Sequence, residues 1–167
     1  LSIVVEMVVG ADGSLQESHI YQAWVRNHAK LAYNSVAAWL DDKAAIPEAI
    51  VAVEGLAKNL QLQDRTAQSL KNFRHIQGAL SLETIEAKPV FDGDQLRVLE
   101  IEEKNRAKEI IENFMIAANG VTARFLSAGK FPSIRRVVRI PKRWDRIGDI
   151  AAEHKSGLPE IRDPKAL

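Results

Sequence analysis

Residues 109–126 read EIIENFMIAANGVTARFL and form the centre of the clearest helical pattern in the chain. Apolar side chains recur there three and four residues apart, which is the spacing of one face of an α-helix. The pattern predicts one long helix over about 103–126, ending near Gly129 because glycine commonly terminates helices. Its predicted apolar stripe comprises Ala107, Ile110, Ile111, Phe114, Met115, Ala118, Val121 and Phe125.

Two β-hairpins are predicted on the amino-terminal side of this helix. Residues 79–90 and 95–102 read as paired strands, because an Asp-Gly pair between them favours a tight turn. An earlier hairpin is predicted over roughly 2–25, where apolar β-branched residues precede the turn signal Ala11-Asp12-Gly13-Ser14.

Three helices are predicted between the hairpins. The first begins near Asn34, which together with Ser35 is a candidate helix cap. The second follows Pro47 and continues to Leu60, since proline is favoured in the first turn of a helix. The third follows as a separate run and ends before Gly78.

Beyond the long helix, residues 133–140 (SIRRVVRI) read as a strand, and Pro141 begins a last helix through Trp144 and Ile150. The complete pattern predicts a single α+β unit, with two β-hairpins and several helices including the long one.

Composition excludes several classes of protein. Apolar residues make up 46% and charged residues 27%, which favours a globular domain over a disordered chain. The absence of cysteine excludes disulfide scaffolds and cysteine nucleophiles. No apolar run reaches the roughly 20 residues of a membrane span, so a cytoplasmic protein is expected. The chain opens at Leu1 inside a strand-like run, which we interpret as part of a longer protein.

The net charge of +1 conceals a local excess of positive charge. Between Arg124 and Arg146 there are eight basic residues against the single acid Asp145. Segregated charge of this kind is typical either of a polyanion-binding patch or of a solvated surface.

Known catalytic motifs are absent from the sequence. It contains no glycine-rich phosphate loop, no HExxH and no GxSxG. The four histidines are scattered without helical metal-ligand spacing, and the acidic pairs Asp41-Asp42 and Glu102-Glu103 fall at predicted turns or helix starts. Neither a metal site nor a catalytic site is therefore predicted within these residues.

Four short motifs, in matching order, resemble the ribonuclease II-type (RNB) family over about residues 1–150. They are Leu31-Ala32-Tyr33 at a helix start, Arg74 with Gly78-Ala79-Leu80, Ile111-Glu112 with Met115 and Ala118-Asn119, and FPSIRRVVRIPKRWDRI at 131–147.

The resemblance implies an α+β domain that threads single-stranded RNA through a channel and degrades it from the 3′ end. In that family a carboxylate cluster binds Mg²⁺, and water attacks the terminal phosphodiester. Residues 1–150 would form a partial catalytic domain that lacks the upstream aspartate cluster, and 151–167 would continue it. Catalytic residues and Mg²⁺ ligands are then expected outside this chain, which alone would be inactive.

Two positions depart from the family pattern. The chain has Asn113 where the family usually has a second glutamate, so a second carboxylate is not expected there. The segment Ser133-Ile134-Arg135-Arg136 echoes a downstream arginine motif of the family but lacks its proline, and we interpret it as coincidence.

Several residues are candidates to contact RNA. Glu112 and Asn119 are seven apart, about 20° from each other around a helix, and could form a polar ridge. Tyr33 could stack on a base, and Arg74 could pair with a phosphate or with an acid of the second hairpin. Each residue also has a purely structural alternative as a surface, packing or core side chain. The full candidate set is Tyr33, Arg74, Glu112, Asn119, Arg135 and Arg139.

The leading hypothesis is a 3′–5′ exoribonuclease acting on single-stranded RNA with Mg²⁺, in which this chain supplies scaffold and part of the channel. Its partners would be RNA and the remainder of its own RNB domain, without a membrane. One alternative is a degenerate RNB-like module that binds RNA or a protein without cleavage. Another is an unrelated helical interaction domain.

Overall fold

A computed structural model describes residues 1–79, 87–101, 105–135 and 142–159 of the chain. Its elements confirm the predicted α+β class, with two hairpins and five helices in the described residues. In chain order they are β1 (Ser2–Val9), β2 (Leu15–Ala23), α1 (Tyr33–Leu40), α2 (Glu48–Val51), α3 (Leu56–Ile76), β3 (Ala87–Asp92), β4 (Gln95–Ile101), α4 (Arg106–Ala128) and α5 (Trp144–Glu153).

Both hairpins are antiparallel and form separate two-stranded sheets. β1 pairs with β2 in a register that sets Val4 opposite Tyr21, and its turn closes at Gly13 with a φ of 86°. Gly13 is buried against α3, where an added Cβ would overlap the Ser69 carbonyl oxygen and crowd the side chain of Phe73. Close approach as well as positive φ therefore requires glycine at this turn.

The helices between the hairpins differ from the prediction in where they break. The helix after Pro47 is a single turn, and Gly55 with a φ of 76° separates it from the 21-residue α3. The predicted break after Leu60 is wrong, because α2 ends at Val51 and α3 begins directly after the left-handed Gly55.

The two predicted caps of α1 are also wrong. Its first turn follows Ala32, with no side-chain cap, because Ser35 Oγ donates instead to the Ala32 carbonyl. The side chain of Asn34 bonds to α4.

The long helix is confirmed, with shifted ends and a different buried face. α4 begins at Arg106 because the Asn105 side chain caps it, accepting from the backbone N–H groups of Ala107 and Lys108 at 3.0 and 3.2 Å. Ile111 and Met115 belong to the predicted stripe, yet they are 44% and 58% exposed. The residues that α4 buries are Ala107, Ile110, Asn113, Ala117 and Val121.

The principal apolar cluster lies where α1, α2, α3 and α4 meet. Its buried members are Val36, Ala37, Ile50, Leu60 and Ala107. Partly buried side chains, including Leu31 and Trp39, pack around them. This cluster holds α1 against the start of α4 and so positions Tyr33.

The carboxy-terminal strand prediction is not confirmed at its beginning. Residues 133–135 lie outside any strand, and 136–141 lie outside the described residues, as does Arg139. α5 begins at Trp144, which is buried and donates from Nε1 to the Pro159 carbonyl at 3.2 Å. Among the helices that the structure describes, none is long and apolar enough to cross a membrane.

Candidate functional site

α3 and α4 are joined by a ladder of polar contacts, and these contacts advance in the same direction along both helices. Asp64 binds Arg106, Lys71 binds Glu109 at 3.0 Å, and Arg74 binds Asn113 at 2.5 Å. The two long helices therefore run parallel. These contacts fix the position of α4 along the axis of α3.

The first contact of the ladder is a bidentate ion pair between Asp64 and Arg106. Arg106 Nε and Nη2 donate to the two carboxylate oxygens of Asp64 at 2.9 and 2.7 Å. Asp64 is buried within α3, whereas the Arg106 side chain is 40% exposed. The hydrogen bonds to Asp64 raise the pKa of Arg106 above its usual value, so the guanidinium stays charged.

α1 is fastened to the start of α4 at both of its ends. At one end, Asn105 Nδ2 donates to Asn34 Oδ1 at 3.0 Å. At the other, Arg106 Nη1 donates to the Leu40 carbonyl at 3.2 Å and lies 3.6 Å from the Asp41 carboxylate. Tyr33, the first residue of α1 and 48% exposed, is consequently held at a defined place relative to α4.

The last contact of the ladder involves the predicted phosphate ligand Arg74. Its Nη2 donates to the buried amide of Asn113, whose own Nδ2 donates to the Glu109 carbonyl at 2.7 Å. The buried Nε of Arg74 has no hydrogen-bond partner among the described residues. Arg74 thus binds an amide of α4 rather than an acid among the described residues of the second hairpin, and its contact with a phosphate stays a prediction.

Glu112 and Asn119 lie on α4 away from this ladder. Both are exposed, in keeping with their seven-residue spacing. The apolar side chains of Ile111 and Met115 are exposed on the same helix. This combination gives α4 an accessible face of mixed polar and apolar character.

Arg135 is an exposed residue that folds back on the end of α4. Its Nη2 donates to the Ala123 carbonyl at 3.2 Å and also contacts Ser127 Oγ. Of the predicted site residues, Tyr33, Arg74, Glu112, Asn119 and Arg135 thus lie on, or are tied to, the α1, α3 and α4 assembly. Arg139 lies outside the described residues.

Sequence reasoning did not predict that Asp64 and Asn113 are the two buried polar residues of the ladder. A signal for them does exist. Asp64 falls on the same helical face as Leu60, and Asn113 falls between Ile110 and Ala117 on the buried face of α4. A polar side chain inside an apolar stripe indicates a buried hydrogen-bonding partner.

A shallow cleft of about 270 Å³ opens beside the Asp64–Arg106 pair. Its walls include Trp39, Asp42 and Arg65. In the ranges that the structure describes, no three His, Asp or Glu side chains come together as ligands for a metal ion. These residues therefore do not form the carboxylate cluster that the family resemblance implies.

Comparison with known proteins adds independent evidence. The profile of the RNB domain matches residues 1–158. Ribonuclease R of Vibrio parahaemolyticus is 29% identical over 165 residues, covering 95% of this chain and 19% of that protein. Ribonuclease R of Escherichia coli K12 is 31% identical over 138 residues, covering 82% of this chain and 17% of that protein. The chain thus spans about a fifth of the length of these relatives.

Solved structures share the fold. Mycoplasma genitalium RNase R in complex with ribose-methylated single-stranded RNA has a TM-score of 0.83 at 21% identity, covering 95% of this chain and 24% of that one. The same protein in complex with double-stranded RNA has a TM-score of 0.80. Together with a family profile that spans almost all of its residues, this agreement shows that the chain belongs to the RNB domain family.

Proposed function

We propose that this chain forms scaffold and part of the RNA channel of a 3′–5′ exoribonuclease that hydrolyses single-stranded RNA with Mg²⁺. The observation that carries the proposal is that Tyr33, Glu112 and Asn119 are all exposed on the assembly of α1, α3 and α4. Tyr33 lies at the start of a helix that is fastened at both ends to α4, the helix that bears Glu112 and Asn119. Family membership supports the class of reaction.

Each exposed residue has a contact that suits RNA. The ring of Tyr33 can stack on a base, a contact worth roughly 1–3 kcal/mol. Glu112 can accept a hydrogen bond from a ribose 2′-hydroxyl, and Asn119 can both donate and accept. The stacking contact requires single-stranded RNA, because bases within a duplex are not available for stacking on a side chain.

The three candidate arginines have different proposed roles. Arg74 holds α4 through Asn113, so any phosphate contact would use the N–H groups that Asn113 leaves free. Arg135 is exposed at the end of α4 and can meet a phosphate directly. Arg139 is assigned the same role from sequence alone.

The Mg²⁺ ligands and the catalytic residues are proposed to lie outside this chain. No carboxylate cluster exists among the described residues, so no step of the hydrolysis is assigned to them. The exposed apolar residues Ile111 and Met115 on α4 support the proposal that the remainder of an RNB domain packs near this face.

A time course of 5′-labelled single-stranded RNA with the full-length polypeptide tests the function. We expect a ladder that shortens from the 3′ end with Mg²⁺ and is abolished by a chelator. RNA retained without shortening, by a folded preparation, would contradict the enzyme and leave a binding module derived from the family. Absence of both binding and shortening, in a folded preparation, would contradict both the enzyme and the RNA-binding module. The third alternative, an unrelated interaction domain, is already wrong, because the RNB domain profile matches residues 1–158.

A further inference from the structure

We propose that the segment Trp24–Lys30, between β2 and α1, is a second contact for single-stranded RNA. In this proposal Arg26 and Lys30 bind phosphates, and Trp24 stacks on a base. The inference rests on the proposed function and extends its site beyond Tyr33. It concerns residues that precede the Leu31-Ala32-Tyr33 motif and lie outside the basic run from Arg124 to Arg146.

The charge of this segment is positive and unopposed. Residues 24–32 read WVRNHAKLA and contain no acidic residue. Arg26, His28 and Lys30 are all exposed. Within the described parts of the chain, neither Arg26 nor Lys30 forms an ion pair, unlike Lys71 and Arg106, whose charges are compensated by acids. Two uncompensated cations four residues apart are available to an anionic partner.

The segment is held against the body of the molecule while its cations face solvent. Exposed His28 and Lys30 alternate with half-buried Ala29 and Leu31. Leu31 packs against the principal apolar cluster. The Ala29 N–H donates to Asn27 Oδ1 at 3.3 Å, which shapes a local turn. Anchored backbone reduces the entropy lost when the side chains bind.

Exposed aromatic residues flank the two cations along the sequence. Trp24 is 85% exposed, and Tyr33, three residues beyond Lys30, is 48% exposed. A solvent-exposed tryptophan beside uncompensated cations suits single-stranded nucleic acid, which combines stacking bases with a charged backbone. A protein partner of purely apolar character would leave Arg26 and Lys30 without compensation. Charge complementarity therefore favours RNA as the occupant.

The salt dependence of RNA affinity tests the phosphate contacts. The full-length polypeptide binds a labelled single-stranded RNA in the presence of a chelator, and Kd is measured over a range of salt concentrations. R26Q/K30Q is compared with K58Q/R65Q, which removes the same two charges from exposed positions on α3. The slope of log Kd against log salt should become shallower by about 1.4 in R26Q/K30Q, because each single-strand phosphate contact contributes about 0.7. K58Q/R65Q should leave the slope unchanged.

Equal slopes in the two double variants would overturn the phosphate assignment, since long-range charge alone would account for both. That result is distinguishable from failure of the proposed function, in which the unaltered polypeptide itself shows no RNA affinity. Such a failure would overturn both proposals.

Stacking by Trp24 is tested separately. Trp24→Ala should weaken binding about 5- to 100-fold, and Trp24→Phe should retain most of the affinity because the aromatic face remains. If Trp24→Ala lowers the unfolding midpoint without changing Kd, Trp24 packs against another part of the polypeptide, and the stacking assignment is wrong.

Discussion

Asp64 is a buried carboxylate whose two oxygens are both bound by Arg106. Asp64→Asn keeps the shape of the side chain but removes its charge, and we expect the free energy of unfolding to fall by about 2 kcal/mol. The loss is smaller than for a fully buried pair because Arg106 is 40% exposed and water can partly solvate it.

The control is the surface pair of Lys43 and Asp41, in which the Lys43 side chain is 74% exposed. Lys43→Ala should change the free energy of unfolding by less than about 0.5 kcal/mol. Urea unfolding followed by circular dichroism measures both variants. Equal losses would show that the Asp64–Arg106 pair is no more important than an ordinary surface contact.

Asn113 gives a second residue-scale prediction. Asn113→Leu has similar volume but neither accepts from Arg74 nor donates to the Glu109 carbonyl. We expect a loss of roughly 1–3 kcal/mol, because the half-buried guanidinium of Arg74 is left without its partner. Arg74→Met with Asn113→Leu removes both polar groups and should recover part of that loss in the same unfolding assay. A double variant less stable than Asn113→Leu would contradict this explanation.

Tyr21 and Glu6 interact across the first hairpin. The Glu6 carboxylate accepts a hydrogen bond from the Tyr21 hydroxyl and raises the pKa of Tyr21 above its usual value of 10.0. Because the folded-state pKa is the higher one, the stabilisation is complete below about pH 10 and is lost as the pH rises through the raised pKa.

Absorbance titration of the phenolate measures this pKa. The chain has two tyrosines, so Tyr33→Phe leaves Tyr21 as the only phenol. In that background Glu6→Gln should lower the Tyr21 pKa towards 10, whereas Glu17→Gln, which removes an exposed charge of β2, should leave it raised. No difference between the two variants would exclude Glu6 as the cause.

Among the elements, the two hairpins each have a turn glycine of positive φ, Gly13 in the first and Gly93 in the second, and the surroundings of these glycines differ. Both have positive φ, but Gly13 is buried against α3, whereas an added Cβ at Gly93 meets no atom within 4 Å. Gly93→Ala should cost about 1 kcal/mol from backbone strain alone. Gly13→Ala should cost clearly more, and should increase hydrogen exchange at the face of α3 around Ser69, because the hairpin must move away. Equal costs would contradict the docking of β1 and β2 on α3.

A helix or hairpin could be predicted from the sequence where the spacing of its apolar residues matched only one kind of secondary structure. The long α4 and both hairpins follow from apolar spacing and from the Asp-Gly turns. The break at Gly55 was missed because glycine in a helical run is ambiguous until its φ is known.

The buried face of α4 was predicted incorrectly, because the sequence alone does not show which part of an apolar stripe another helix covers. The predicted stripe was wider than the surface that α1 and α3 cover, so Ile111 and Met115 remained exposed. Neither Asn113 nor Asp64 was predicted to be buried, although each is buried and bound by a partner from another helix. Such pairings depend on tertiary contacts, which spacing along one chain does not contain.

In the molecule as a whole, α1, α3 and α4 are joined by hydrogen bonds and by apolar packing. Tyr33, Glu112 and Asn119 are exposed on this assembly. The candidate residues were selected by the family resemblance, and the structure supplies the contacts that hold them. Their role in RNA binding depends on RNA reaching these three residues in the complete polypeptide.

Photo-cross-linking tests whether RNA reaches Tyr33 and α4. Single-stranded RNA carrying 4-thiouridine is bound to the full-length polypeptide with a chelator, irradiated, and the linked peptides are mapped by mass spectrometry. We predict cross-links to the peptide that contains Tyr33 and to the part of α4 between Glu112 and Asn119. Cross-links confined to other parts of the polypeptide, in a preparation that shortens RNA when Mg²⁺ is restored, would contradict the assignment of this chain to the channel.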